Sequence, residues 1–264
     1  MQVVMLEPLG IESSQLSRYR FQFDRLGHEL IIYDERTEDF SVLTERSKEA
    51  DVLIFSNLNF PVEMLQECKN LKMISVAFTG VDHLDTAYCR ENNIVVCNAA
   101  DYSTTSVAEL TLGLMIGSLR KMIENDAITR AGHARTGLGF ELKNKTIGII
   151  GTGNIGLEVA RLVSAFESRV IAYSRTKRIR TGLEYVDFTT LLNESDIISL
   201  HVPLTSETKN MIGESQLAFM KNDAHLINTA RGPIVDYQAL ADALKNKIIA
   251  GAATDVYEYE PPLK

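Results

Sequence analysis

Short apolar runs alternate with amphipathic stretches along the whole chain. Val3 to Leu6, Glu29 to Tyr33, Asp51 to Phe55 and Lys72 to Phe78 have the length and β-branched content of buried strands. Between them, Ser14 to Leu26, Ser41 to Glu49 and Pro61 to Lys69 carry helical spacing, and Pro61 suits a helix start. Ile94 to Cys97 reads as a further short strand. A long helix is predicted next, from Ser103 to Arg130, with Ser103, Thr104, Thr105 and Ser106 offering caps and Val107, Leu110, Leu114 and Ile116 an apolar side. After a loop containing Gly132, Gly137 and Gly139, the alternation resumes. Lys145 to Ile150, Val170 to Tyr173, Ile197 to Val202, His225 to Asn228 and Ile248 to Thr254 read as strands. Ile155 to Phe166, Phe188 to Asn193, Glu214 to Phe219 and Tyr237 to Leu244 read as helices. Such alternation implies parallel sheets covered by helices on both faces. The expectation is an α/β protein of two doubly wound domains, 1–99 and 100–264, bridged by the long helix and facing each other across a cleft. The two halves share a style but no visible residue-level repeat.

One turn in this pattern carries chemistry. Gly151-Thr152-Gly153-Asn154-Ile155-Gly156 follows a strand and opens a helix. Gly151 permits a tight turn, Gly153 lets the backbone approach phosphates, and Gly156 allows close helix–strand packing. A pyrophosphate would then rest at the helix N-terminus, where N–H groups and the helix dipole favour an anion. Glycines alone also mark ordinary turns; the strand before and the helix after favour a dinucleotide site. Arg231 is a second candidate. It follows the apolar Leu226-Ile227 and precedes Gly232-Pro233, which places a guanidinium at the carboxyl edge of a parallel strand, where open α/β sheets bind ligands. Its planar fork suits a carboxylate; pairing with Asp236 at the surface is the other reading.

Composition narrows the classes. The 264 residues are 45% hydrophobic and 23% charged, enough for sizeable cores, and the formal net charge is −8. An acidic chain lacks the basic face that nucleic acids or anionic membranes need. Cys68, Cys89 and Cys97 have neither disulfide-framework nor zinc spacing, and no metal site is expected. The N-terminus has no signal-peptide pattern, and Val107 to Leu119, the longest apolar stretch, carries Glu109 and is too short to span a bilayer. The expected location is cytoplasmic.

Four blocks together make the chain similar to a known family: Phe78-Thr79-Gly80-Val81-Asp82-His83-Leu84-Asp85, the glycine motif, His201-Val202-Pro203-Leu204-Thr205, and Asn228-Thr229-Ala230-Arg231-Gly232-Pro233-Ile234-Val235-Asp236 leading into Gly251 to Pro261. In that order they resemble the D-isomer-specific 2-hydroxyacid dehydrogenases along essentially the whole length. The resemblance implies a flavodoxin-like substrate domain followed by a Rossmann domain. It further implies reversible hydride transfer between a nicotinamide cofactor and a small 2-oxo acid, giving the D-hydroxy acid, in a homodimer formed through Val107 to Met122. It assigns Arg231 and Glu260 to catalysis, and Thr79, Gly80 and Arg231 to the substrate carboxylate. It places the backbone of Asn154 and Ile155 on the pyrophosphate, Val202, Pro203 and Thr208 along the adenosine, and Thr229, Ala230 and Asp255 around the nicotinamide. Phe78 and Ser56-Asn57-Leu58-Asn59 are pocket candidates as well as plain core and turn residues.

The chain departs from the family at one point. The family's glutamate orients a histidine farther along the chain, and none of His28, His83, His133, His201 and His225 stands there. His201 resembles a cofactor-side position and equally suits a core or rim. A chain ending at Lys264 would lack that histidine, the last strand of the nucleotide sheet and the helix that returns to the first domain. A non-catalytic, NAD(P)-sensing binding protein on the same fold is therefore the alternative to an enzyme. For the cofactor, the strand after the glycine motif ends at Ser174 rather than at the acid that accepts ribose hydroxyls, and Arg175, Lys177, Arg178 and Arg180 follow. This favours NADP(H), with NAD(H) possible. Ser174-Arg175 and Asp82-His83-Leu84 point to glyoxylate- or hydroxypyruvate-type reduction.

Overall fold

A computed structural model describes residues 1–134, 137–178 and 182–259. The chain divides into two compact units, Met1–Tyr102 and Ser103–Lys264.

The first unit is a five-stranded parallel sheet, β1 (Gln2–Met5), β2 (Glu29–Ile32), β3 (Val52–Phe55), β4 (Met73–Val76) and β5 (Val95–Asn98), ordered β2-β1-β3-β4-β5. This is the flavodoxin-like order, whose switch point lies between the first and third strands. Helices α1 (Ser13–Arg25), α2 (Phe40–Ser47), α3 (Val62–Glu67) and α4 (Thr86–Glu91) connect the strands. Val4, Leu53, Phe55, Phe60 and Ile74 are fully buried at its centre. The strand expected at Lys72–Phe78 stops at Val76, so Phe78, Thr79 and Gly80 lie in the loop beyond its carboxyl end. Helix α4 was not expected. Asp85 starts it by accepting the Tyr88 N–H at 2.8 Å, inside a block that reads as loop because its apolar positions are few.

The second unit begins with α5 (Thr104–Leu119) and α6 (Met122–Arg130). They replace the single helix expected over 103–130. The break is at Lys121, in the left-handed region at φ 52°. Its cause is long-range: the Leu119 carbonyl, which a continuing helix would give to residue 123, accepts the Phe140 N–H at 3.2 Å instead. Six parallel strands follow: β6 (Thr146–Ile150), β7 (Arg169–Tyr173), β8 (Glu184–Tyr185), β9 (Ile197–Leu200), β10 (His225–Asn228) and β11 (Gly251–Thr254). The helices between them are α7 (Asn154–Ser164), α8 (Phe188–Glu194), α9 (Glu214–Phe219) and α10 (Tyr237–Lys245). The sheet order β8-β7-β6-β9-β10-β11 is the 3-2-1-4-5-6 order of a dinucleotide-binding fold. The two-residue β8 was not expected, and β11 is shorter than the run Ile248–Thr254.

Among the described residues no helix is long and apolar enough to cross a membrane, and no group of three or more His, Cys, Asp or Glu side chains is placed to hold a metal.

Candidate functional site

The chain runs from β6 outward through β7 to β8 and then returns to place β9 on the other side of β6, so the carboxyl ends of β6 and β9 open a crevice at this switch point. The glycine turn sits on it. Gly151 has φ 97° and donates to the Tyr173 carbonyl at 2.8 Å, and a Cβ there would overlap the carbonyl of His201. A Cβ on Gly156 would land on the Gly151 carbonyl oxygen, so the first turn of α7 is pressed directly against the turn that precedes it. Gly153, the N-cap of α7, is different: a Cβ there would meet nothing within 4 Å. The turn is thus packed tightly from within and open at Gly153, at a helix N-terminus whose first N–H groups have no intrahelical acceptor. These residues fit a bound pyrophosphate.

His201 lies under this turn. Its N–H donates to Ile150 at 2.7 Å, and its Nε2 shares a hydrogen bond with Ser199 Oγ at 2.9 Å. Burial pushes its imidazole down to about 4, so it is neutral at pH 7. Of the two readings of this residue, the support of the turn is the one its contacts describe. His225, at the opposite end of its strand, bonds Ser118 Oγ at 2.7 Å and is likewise lowered by burial.

Val202 and Pro203 leave β9, and Thr208 ties their loop together. Its Oγ1 donates to the Pro203 carbonyl at 2.6 Å and accepts the Thr205 N–H at 2.8 Å. Ser174 follows β7 half-buried, and Arg175, Lys177 and Arg178 are exposed beyond it; Arg180 lies outside the described residues. Nothing along the chain singles out Tyr185. Its hydroxyl donates to Thr152 Oγ1, inside the glycine motif, at 3.0 Å. An aromatic on a two-residue edge strand carries no signal by itself.

Arg231 stands past the carboxyl end of β10, half-buried, just before one turn of 3-10 helix at Gly232–Ile234. Asn228 builds the turn that presents it: its side-chain Nδ2 donates to the Arg231 carbonyl at 2.9 Å and its Oδ1 accepts the Ala230 N–H at 3.0 Å. The Arg231 guanidinium donates to the Ala230 carbonyl at 2.7 Å. Asp236 caps α10, accepting the Ala239 N–H at 3.0 Å. Thr229 is buried, and its hydroxyl meets Thr111 Oγ1 of α5 at 2.9 Å. Asp255 follows β11 exposed, its N–H bonded to the Asn228 carbonyl at 3.0 Å. A Cβ on Gly232 would strike the backbone of Tyr257 and Glu258, so the chain after β11 crosses directly over the Arg231 turn. Glu260 itself lies outside the described residues.

In the first unit, Thr79 and Gly80 follow β4, and Asn98 Nδ2 holds the Thr79 carbonyl at 2.6 Å. Ser56 of the loop after β3 is fixed from below: its N–H and hydroxyl donate to buried Glu7 at 2.6 and 2.7 Å, and Glu7 also pairs with Arg36.

With this geometry in hand, comparison with known proteins gives the family. Residues 112–264 match the model of the D-isomer specific 2-hydroxyacid dehydrogenase NAD binding domain. The chain belongs to the D-isomer specific 2-hydroxyacid dehydrogenase family. It is 41% identical over 242 residues to a glyoxylate reductase of Thermococcus litoralis, covering 86% of this chain and 73% of that protein. It is 37% identical to a hydroxypyruvate reductase of Thermotoga maritima, covering 97% of this chain and 82% of the relative. Among solved structures, an acyclic imino acid reductase in complex with NADPH and D-Arg superposes with a TM-score of 0.90 at 32% identity, covering 100% of this chain and 85% of that one. The family is one of nicotinamide-dependent oxidoreductases with a Rossmann domain, as the four sequence blocks imply.

Proposed function

We propose that the protein reduces a small 2-oxo acid of the glyoxylate or hydroxypyruvate type to the D-2-hydroxy acid, with NADP(H) preferred over NAD(H). One observation carries this reading: the open glycine turn and the Arg231 turn stand on the same carboxyl edge of one sheet, on β6 and β10, with only β9 between them. The bound nicotinamide would supply the hydride. Gly151, Gly153, Asn154, Ile155 and Gly156 receive the pyrophosphate, with Val202, Pro203 and Thr208 beside the adenosine. Ala230, Asp255 and the backbone of Thr229 border the nicotinamide. Arg231 then grips the substrate carboxylate with its planar fork. Thr79 and Gly80 keep the substrate-binding role that the family motif implies. Glu260 is assigned to catalysis through the family motif alone. Ser174 in place of an acid, with Arg175 and Lys177 after it, supports the 2′-phosphate.

The test is turnover of glyoxylate and hydroxypyruvate followed by NADPH absorbance. Arg231→Lys keeps the charge and loses the fork; it is expected to lower kcat/KM by about a hundredfold while leaving the Kd for NADPH within about twofold. An equal effect on cofactor affinity would remove Arg231 from the substrate side. The alternative is a non-catalytic NAD(P)-sensing binding protein on the same fold. Saturable NADPH binding without turnover of either acid would establish it. The reading includes a homodimer in the cytoplasm. Leu110 and Met122, 40% and 57% exposed on and after α5, support the first, and three free thiols support the second.

A further inference from the structure

The basic loop after β7 is tied to the glycine turn through a side-chain hydroxyl. β8 pairs with β7 so that Tyr185 lies opposite Ala172, one residue before the strand end. From there its Oη donates to Thr152 Oγ1 at 3.0 Å and accepts the Arg178 N–H at 3.1 Å. Thr152 is 3% exposed and sits between Gly151 and Gly153. Three segments distant in sequence, the pyrophosphate turn, the basic loop and the edge strand, therefore meet at one side-chain oxygen.

We infer that Tyr185 is a positioning residue for cofactor discrimination: its hydroxyl holds Arg175, Lys177 and Arg178 at a set distance from the pyrophosphate turn, where they meet the 2′-phosphate of the adenine ribose. The inference rests on the NADP(H) reading above. The adenine ribose is joined to the pyrophosphate, so once the glycine turn fixes one end, the 2′ position is fixed as well. Cations on a loop pinned to that same turn need not be ordered on binding, and that ordering is a principal cost of recognition by long side chains. An acidic side chain also lies within electrostatic reach of the loop. The Glu207 carboxylate, held below its ordinary range first by the Thr205 hydroxyl, also feels the charge of Arg175. A loop released from Tyr185 is free to lean towards it. The 2′-hydroxyl of NADH demands no cation, so its binding is insensitive to where the loop stands.

Tyr185→Phe in the full chain removes the oxygen and little else. Titrations would use NADPH and NADH, with adenosine 2′,5′-bisphosphate and AMP as probes of the adenosine half alone. Affinity for NADPH and the bisphosphate is expected to fall about five- to tenfold, with NADH and AMP changing less than about twofold. Thr152→Val, which removes the acceptor, should lower the NADPH preference too, and the double variant should add nothing to the larger single effect. Equal losses for both cofactors would make Tyr185 a general prop and overturn the inference. An NADPH preference unchanged in Tyr185→Phe would overturn it alone. A wild-type protein that binds NADH as tightly as NADPH would overturn the cofactor reading and this inference with it. Should Tyr185→Phe fail to fold, the same discrimination read in Thr152→Val decides.

Discussion

A methyl group added at Gly156 has nowhere to go, because the Gly151 carbonyl already fills its place, whereas one added at Gly153 meets open space. The two alanine variants should therefore fail differently. Gly156→Ala is expected to unfold the second unit or leave it insoluble, since backbone on both sides of the clash is fixed by β6 and α7. Gly153→Ala should cost no more than about 1 kcal/mol at an N-cap, while weakening NADPH at least about tenfold by obstructing backbone approach to the phosphates. Denaturant unfolding and cofactor titration of both variants check this, and an unstable Gly153→Ala would mean that the open face has a structural use. Their place was legible because a strand, a glycine turn and a helix follow one another directly in the chain. Arg231 was legible for the same reason, as a charged residue directly after an apolar strand. Tyr185 and the inward turn of Thr229 were not, because each is defined by a partner on another segment.

The elements repeat a device that no local pattern announces. Asp51, just before β3, accepts the Gln2 N–H at 2.7 Å and pairs with Lys72 at 2.6 Å. Asp196, just before β9, accepts the Thr146 N–H at 2.7 Å and pairs with Lys221 at 2.9 Å. Each clasp ties the amino ends of the first strand and the strand beside it across its unit's switch point. The halves thus share equivalent residues where the sequence showed only a common style. The partners lie 49 and 50 residues apart, beyond any periodicity. Lys72, then the Gln2 N–H, hold the Asp51 carboxyl below its usual range; for Asp196, burial pushes upward but the Thr146 N–H and Lys221 together outweigh it. A carboxyl depressed in the folded state contributes stability above its unfolded value, about pH 4, and loses it as the pH falls through the folded value. Asp196→Asn should then cost about 1–2 kcal/mol at pH 7 and show a shallower loss of stability below about pH 4 than the wild type. Denaturant midpoints across that range measure it; parallel curves would mean that other carboxylates govern acid unfolding. The break at Lys121 has the same kind of origin, since it depends on Phe140 and not on the helix-forming residues around it.

At the scale of the molecule, the alternation of strands and helices made two parallel sheets legible, but not their strand orders. An order depends on which way each crossover leaves its strand, and only the glycine motif marked such a reversal, after β6. The first unit has no comparable mark, and its 2-1-3-4-5 order emerges only in three dimensions. Each unit encloses its own core: Val4, Phe55 and Ile74 belong to one, Ile150, Ile198 and Leu226 to the other, together with a second cluster around Met115, Val159 and Ile227. Among the described residues, each core cluster draws on one unit. A chain built this way is expected to unfold calorimetrically in two transitions rather than one. All the residues proposed to hold the cofactor lie in the second unit, so NADPH should act on one transition alone. At a free concentration about a hundredfold above Kd the shift is about 2.7 kcal/mol, or roughly 5–10 °C for a unit of this size. The first transition should stay in place. A single transition that moves as a whole would mean that the units stabilise each other strongly enough to unfold together, and a shift confined to the first would move the cofactor site out of the β6 crevice.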